Sequence, residues 1–339
     1  MKQERTILRR PRFATRRTLL LAGGAIAISG RARAASEEVT HIRFAHSAPV
    51  THGWNLFAVQ FKASVEKRSG GTIRVTIYPN AEMGTEEDIA RAVRLGSLEM
   101  GAVGVALMDW VPDMSITDAP FLFRDRQQAY AALDGALGAA LKERALAGGF
   151  RIVGWTDLGM RCMTNSKHPI HQVSDMRNLK MRVPDSKSYI AMMRAMGATT
   201  VIVDLSELYL ALSQHVADGQ DTPPEVVVSN KYYEVQKYIS KTDHALTNAY
   251  GIINPAFFNR LDKAKQAAIL AAGQDATVWL RAYTQKSEVE AYIFVQSKGM
   301  IADLTPDVAT FRAATAGVIT EYPDLFKPDL VKLARSAPG

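Results

Sequence analysis

From about Asp262 to Lys298 the chain reads as continuous helix, with a single glycine, Gly273, inside it. At 1.5 Å per residue such a helix is roughly 50 Å long, well beyond the usual three or four turns of a globular helix. The stretch predicts a helix that crosses between two domains. Around it, two periods alternate. His41–His46 and Thr72–Tyr78 alternate apolar and polar residues as half-buried strands do. Between them Trp54, Phe57, Phe61 and Val65 fall on one helix face. Thr85 and Asp88 have capping-box spacing ahead of a helix with apolar Ile89, Ala92 and Val93. Further strands are predicted over Ser97–Val105, Phe150–Trp155, Leu179–Pro184 and Thr199–Val203, with Ser206 capping the next helix. Asp218–Pro224 has turn composition, and Thr305-Pro306 reads as the N-cap and first-turn proline of a late helix. This grammar predicts an α/β fold class.

The first 34 residues have the form of a removable export signal. A basic segment precedes the apolar run Leu19–Ile28, and Ala32-Arg33-Ala34 is a small-x-small cleavage site. The run is too short to span a bilayer. Thr15-Arg16-Arg17-Thr18-Leu19-Leu20 resembles the twin-arginine signal, which predicts periplasmic export of a folded protein. Charge changes with the leader. It holds nine of the 41 Lys/Arg and one of the 34 Asp/Glu, leaving 32 basic and 33 acidic residues in the remaining 305. That near-neutral remainder supplies no basic field for nucleic acid. Its length suits two α/β domains. Cys162 is the only cysteine, so no intramolecular disulfide forms, and its expected role is a small buried hydrophobe.

Chemistry-bearing motifs are nearly absent. The histidines lack metal-ligand spacing, and no nucleophile elbow, phosphate loop or dinucleotide fingerprint is present. No metal, cofactor or catalytic residue is therefore assigned. Glu86 and Glu87 open a helix, where carboxylates favour the dipole. Two arginines stand out instead. Arg161 lies in the strand-like stretch Leu158–Asn165 and Arg182 in Leu179–Pro184, neither with a neighbouring acid for a local ion pair. A buried guanidinium without a partner is costly, and its planar fork matches a carboxylate with two parallel hydrogen bonds. The expectation is that both face a shared crevice, free of any internal counter-ion, and clamp a small organic anion. Each could instead pair with a distant acid or extend to water.

A series of motifs carries a resemblance. It runs through Met83-Gly84-Thr85-Glu86, Asp118-Ala119-Pro120-Phe121-Leu122-Phe123, Trp155-Thr156-Asp157-Leu158-Gly159-Met160-Arg161 and Leu179-Lys180-Met181-Arg182-Val183-Pro184. Ser206-Glu207-Leu208-Tyr209, Val216-Ala217-Asp218-Gly219-Gln220 and Thr242-Asp243-His244 follow in order. Together they resemble the solute-binding proteins of tripartite ATP-independent periplasmic (TRAP) transporters, in the C4-dicarboxylate-binding family.

The resemblance implies a two-domain, periplasmic-binding-protein-like fold of type II-like character, with hinge strands and a long helix across both domains. Residues 35–158 with about 248–286 would form one domain, and 159–247 with about 287–339 the other. In the cleft, Arg182 would bind the ligand carboxylate and Arg161 would assist. Thr222, Leu205, Glu86 and Trp155 would join the ligand site, with Asp221 and His244 holding water behind it. Two positions depart from the family's pattern. Thr222 stands where an Asn amide is common, and Leu205 where a Phe often forms an aromatic wall. Gly104 and Val105 replace the acidic and polar groups of some sialic-acid binders, which argues against that ligand. The implied partners are a small organic acid and the membrane permease subunits, with the chain itself a monomer. An exported enzyme or a ligand-sensing subunit acting on a carboxylate is the alternative. C4-dicarboxylates, 2-oxo acids, sugar acids and aromatic acids all remain open as ligands.

Overall fold

The structure, a computed structural model, describes residues 39–339, so the leader lies outside the described residues. In chain order the strands are β1 (Thr40–Ala45), β2 (Ile73–Tyr78), β3 (Met100–Val103), β4 (Arg151–Met160), β5 (Cys162–Asn165) and β6 (Lys180–Val183). Then come β7 (Thr199–Ile202), β8 (Gly219–Thr222), β9 (Tyr238–Ser240), β10 (Leu246–Ile253) and β11 (Ile301–Asp303). They sort into two sheets, ordered β2-β1-β3-β10-β4 and β11-β9-β5-β8-β6-β7. In the first, β1 pairs in parallel with β2 and β3, while β10 runs antiparallel to β3 and β4. In the second, β5 runs antiparallel to β8 and β9, and β6 parallel to β7 and β8.

The chain passes between the sheets three times. Arg161 is the sole residue between β4 and β5, residues 241–245 return from β9 to β10, and the helix Lys263–Ser297 leads from the first sheet to β11. This 35-residue helix packs on the helix Gly53–Arg68 and β4, and also on the helix Pro224–Ser229 and β11. It therefore touches elements of both lobes, as its length predicts. Ile269, Ala272, Ala276 and Leu280 form its buried stripe, in one core with Phe57 and Phe61. Full burial of one such Leu, Ile or Phe stabilises by roughly 1.5–3 kcal/mol. Gly273 is explained by close approach. A Cβ there would lie 2.0 Å from the Val153 carbonyl oxygen, and one at Gly154 would lie 2.7 Å from the Gly273 oxygen. Thr277 Oγ1 fastens the contact, donating to the Gly273 carbonyl and accepting from the Trp155 amide at 3.0 Å.

Local signals held where they were periodic. Thr85 and Asp88 form the reciprocal capping box ahead of the helix Glu86–Leu95. They failed where polar residues are buried. Gly219–Thr222, expected as a turn, is β8, an interior strand paired on both sides and buried throughout. Some of its polar side chains are partnered inside, Gln220 Nε2 donating to Thr164 Oγ1 at 2.8 Å and Asp221 Oδ2 accepting from Arg161 Nε at 2.6 Å. Ser206 sits within a 3₁₀ turn, Leu205–Glu207, and caps nothing. The late helix is Val308–Thr315, with Asp307 rather than Thr305 at its N-cap position. The C-terminal helix Pro328–Arg335 packs on Arg126–Asp134 and Ala136–Ala147, and Leu330 joins the core beneath the first sheet. The tail thus returns to the first lobe and does not stay with the second, as a boundary at 339 had it.

Candidate functional site

A cavity opens between the two sheets, enclosing about 530 Å³ of space, part of it continuous with solvent. The first lobe contributes Trp54 from the start of a helix, Glu86 from the first turn of the next, Asp118 from a 3₁₀ segment and Asn248 from β10. The second contributes Arg182 from β6, Tyr189 from the helix that follows, Leu205 and Thr222. Arg161 enters at the β4–β5 joint.

The two arginines differ sharply. Arg161 Nε donates to Asp221 Oδ2 at 2.6 Å, Nη2 to the Asp221 carbonyl, and Nη1 to Thr247 Oγ1 at 3.0 Å. Its guanidinium carbon lies 4.4 Å from the Tyr189 ring centroid. The expectation that Arg161 lacks an internal counter-ion is therefore corrected. Its partner is 60 residues away in sequence and directly beside it in space. Burial opposes ionisation of Asp221, but Arg161 and His244 outweigh it and hold that carboxyl far below its usual range. His244 Nε2 lies 3.1 Å from Asp221 Oδ2, and its Nδ1 is 2.8 Å from Thr242 Oγ1. Asp221 and His244 are fully buried behind Arg161 and do not line the cavity.

Arg182 is as buried as Arg161, at 5% exposure, yet only its Nε is used, donating to the Val203 carbonyl at 2.7 Å. Among the described residues, Nη1 and Nη2 make no hydrogen bond or ion pair. Burial lowers the pKa of this guanidinium, which stays ionised at any physiological pH. A buried, unpaired charge on a cavity wall is a site waiting for an anion.

Glu86 faces the same space. Its Oε1 accepts from the backbone amides of Gly104 and Ala106, each at 2.8 Å, and burial raises its pKa against those bonds. The Thr222 side chain lines the cavity without a hydrogen bond among the described residues, and Leu205 adds a half-buried apolar wall. Trp155 is a correction. It is 1% exposed and stacks edge-on against Tyr250, ring centroids 5.8 Å apart. Alternation along β4 turns Leu158 to the cavity and Trp155 to the opposite face.

Several cavity residues were not expected from the sequence, Tyr189 and Thr247 among them, and three of these carry an unpartnered polar atom among the described residues. Trp54 Nε1, Asp118 Oδ2 and Asn248 Nδ2 are buried without a partner. Burial pushes the Asp118 carboxyl up to about 7, against the pull of Arg161 and Tyr189. Trp54 read only as part of an apolar helix face, and Asp118 only as part of a motif. Nothing in one sequence says that a polar atom will lack a partner. His168 and His171 lie on a loop, and among the described residues no cluster is suited to a metal. Nor, among them, is any helix long and apolar enough to cross a membrane.

Residues 44–324 match the family described as bacterial extracellular solute-binding protein, family 7. A solute-binding protein of Verminephrobacter eiseniae is 34% identical over 278 residues, which is 82% of this chain and 83% of the relative. The 2,3-diketo-L-gulonate-binding periplasmic protein of Escherichia coli is 31% identical, covering 69% of this chain and 72% of its own. A TRAP periplasmic solute-binding protein from Polaromonas, solved bound to D-erythronate, superposes with a TM-score of 0.85 at 30% identity, over 88% of this chain and 99% of that one. The chain belongs to the bacterial extracellular solute-binding protein family 7, whose members are periplasmic, organic-acid-binding subunits of TRAP transporters and not enzymes.

Proposed function

We propose that this chain captures a small organic acid by docking its carboxylate on Arg182 and hands it to the membrane permease subunits of its transporter. One observation carries this reading: the Arg182 guanidinium is buried in a cavity wall with both terminal nitrogens unused. A carboxylate there makes two charge-assisted hydrogen bonds, worth about 1.5–3 kcal/mol each. Arg161, Thr222, Leu205 and Glu86 complete the wall, while Asp221 and His244 hold Arg161 in place. Because the cavity draws on both lobes, an acid that bridges them favours the closed arrangement, which the permease then recognises. The working unit is a monomer. Export uses the twin-arginine pair Arg16-Arg17, and replacing both with Lys is expected to leave the precursor in the cytoplasm.

A thermal-shift screen over organic acids tests the capture step, since a ligand that binds only the folded state raises its melting temperature. At least one carboxylate should stabilise the protein and be recovered chemically unchanged by mass spectrometry. Stabilisation by neutral sugars alone, or conversion of the acid, would overturn it.

A further inference from the structure

The charges on the cavity wall narrow the solute beyond "organic acid". The charge of Arg161 is already neutralised by Asp221. Among the described residues of the cavity wall, what remains is one unpaired cation, Arg182, and two carboxyl groups, those of Glu86 and Asp118. His52 also lines the space but is held neutral, burial lowering its pKa to about 3. One carboxylate on the solute satisfies Arg182. A second would approach Glu86 and Asp118 with no cation left to receive it. The unpaired atoms add a second constraint. Asp118 Oδ2 can accept a hydrogen bond, whereas Trp54 Nε1 and Asn248 Nδ2 can only donate. A hydroxyl meets both demands because it donates and accepts. An ammonium group meets only the first, having no lone pair to offer.

We infer that the solute is a monocarboxylic acid bearing several hydroxyls, and that Asp118 and Glu86 select it against dicarboxylates while Trp54 and Asn248 select it against amino acids. This rests on carboxylate capture by Arg182 and specifies what the rest of the solute must be. An unpaired buried polar group costs stability until something pairs with it, and the hydroxyls of such an acid are the groups of matching chemistry.

Calorimetry at pH 8, above the point at which Asp118 loses its proton, tests this with two length-matched series. One is D-erythronate, succinate and 4-aminobutanoate; the other is D-gluconate, adipate and 6-aminohexanoate. In whichever length binds, the hydroxy acid should lead each competitor by at least about tenfold, a difference of 1.4 kcal/mol. Asp118→Asn, checked for an unchanged melting profile, should shrink the lead over the dicarboxylate at least about threefold. A dicarboxylate or amino acid that binds as tightly, with Arg182→Lys abolishing its binding, would overturn this inference and leave carboxylate capture standing. Binding that ignores Arg182→Lys, or no binding by any of the six acids, would overturn both. An unaltered lead in Asp118→Asn would remove Asp118 from the selection.

Discussion

Arg161 and Arg182 carry the same charge at the same burial in one cavity wall, and their surroundings give them opposite roles. Arg161 sits at the joint between the lobes, with Asp221 on two of its nitrogens, Thr247 on the third, and Tyr189 over its face. Arg182 sits within β6, with a single backbone carbonyl on Nε and both terminal nitrogens open. Burial alone therefore says little about availability to a ligand. The inventory of partners decides it. Arg161 belongs to the scaffold and sets the field of the pocket, and Arg182 is the group with a valence to fill.

Removing Asp221 should separate the two roles most strongly. Asp221→Ala leaves a buried guanidinium unpaired, and the expected cost is about 3–5 kcal/mol in urea unfolding. A loss under 1 kcal/mol would show that Arg161 is as open as Arg182. The second effect is on binding. Arg182→Lys replaces a two-pronged contact with a point charge and should weaken the acid by at least about tenfold, or 1.4 kcal/mol. Stability should hold, because no internal ion pair is lost. Unfolding at lower urea concentration, with affinity intact, would reverse the assignment.

A smaller effect comes from pH. Asp118 is buried, its pKa pushed up to about 7, and it is influenced by Arg161, Tyr189, Asp221 and Glu86. In the folded protein it keeps a proton that the unfolded chain, with an ordinary carboxyl, has lost by pH 5. On its account stability falls as pH rises from about 4 to 7 and is level above that. As pH drops from 8 to 6 the neutral Asp118 ceases to repel a second carboxylate. The lead of a hydroxy acid over a dicarboxylate should narrow by up to about tenfold, the size of one unit of coupling. The same titration in Asp118→Asn should lack the component that Asp118 supplies. Smallest is Thr222→Asn, which places a planar amide on the wall. It should leave carboxylate affinity unchanged or raise it by no more than about 1 kcal/mol. Complete loss of binding would show that the amide at position 222 obstructs the solute and does not serve its carboxylate.

Much of the frame was legible because its signals are local and periodic. The long helix, the strands β1 and β2, and the Thr85–Asp88 box each rest on spacing within a few residues. β8 was not legible, because Gly219, Gln220, Asp221 and Thr222 are turn-forming types whose burial depends on strands from elsewhere in the chain. The site divides the same way. The resemblance placed Arg161, Arg182, Glu86, Leu205 and Thr222 in one cleft, and all five line the cavity. It also placed Trp155 there, and the parity of β4 turns that ring inward. Which arginine is already paired lay beyond reading, since the carboxylate that pairs with Arg161 is set by the β5–β8 register. Asp118, Trp54 and Asn248 matter through partners they lack, a property that exists only in three dimensions.

The most direct measurement is a crystal structure with the bound acid. The account predicts a carboxylate within about 2.7–2.9 Å of both terminal nitrogens of Arg182, the usual length of a charge-assisted bond, with the Arg161–Asp221 pair intact. A carboxylate seated on Arg161, with Asp221 displaced and Arg182 still unoccupied, would contradict it.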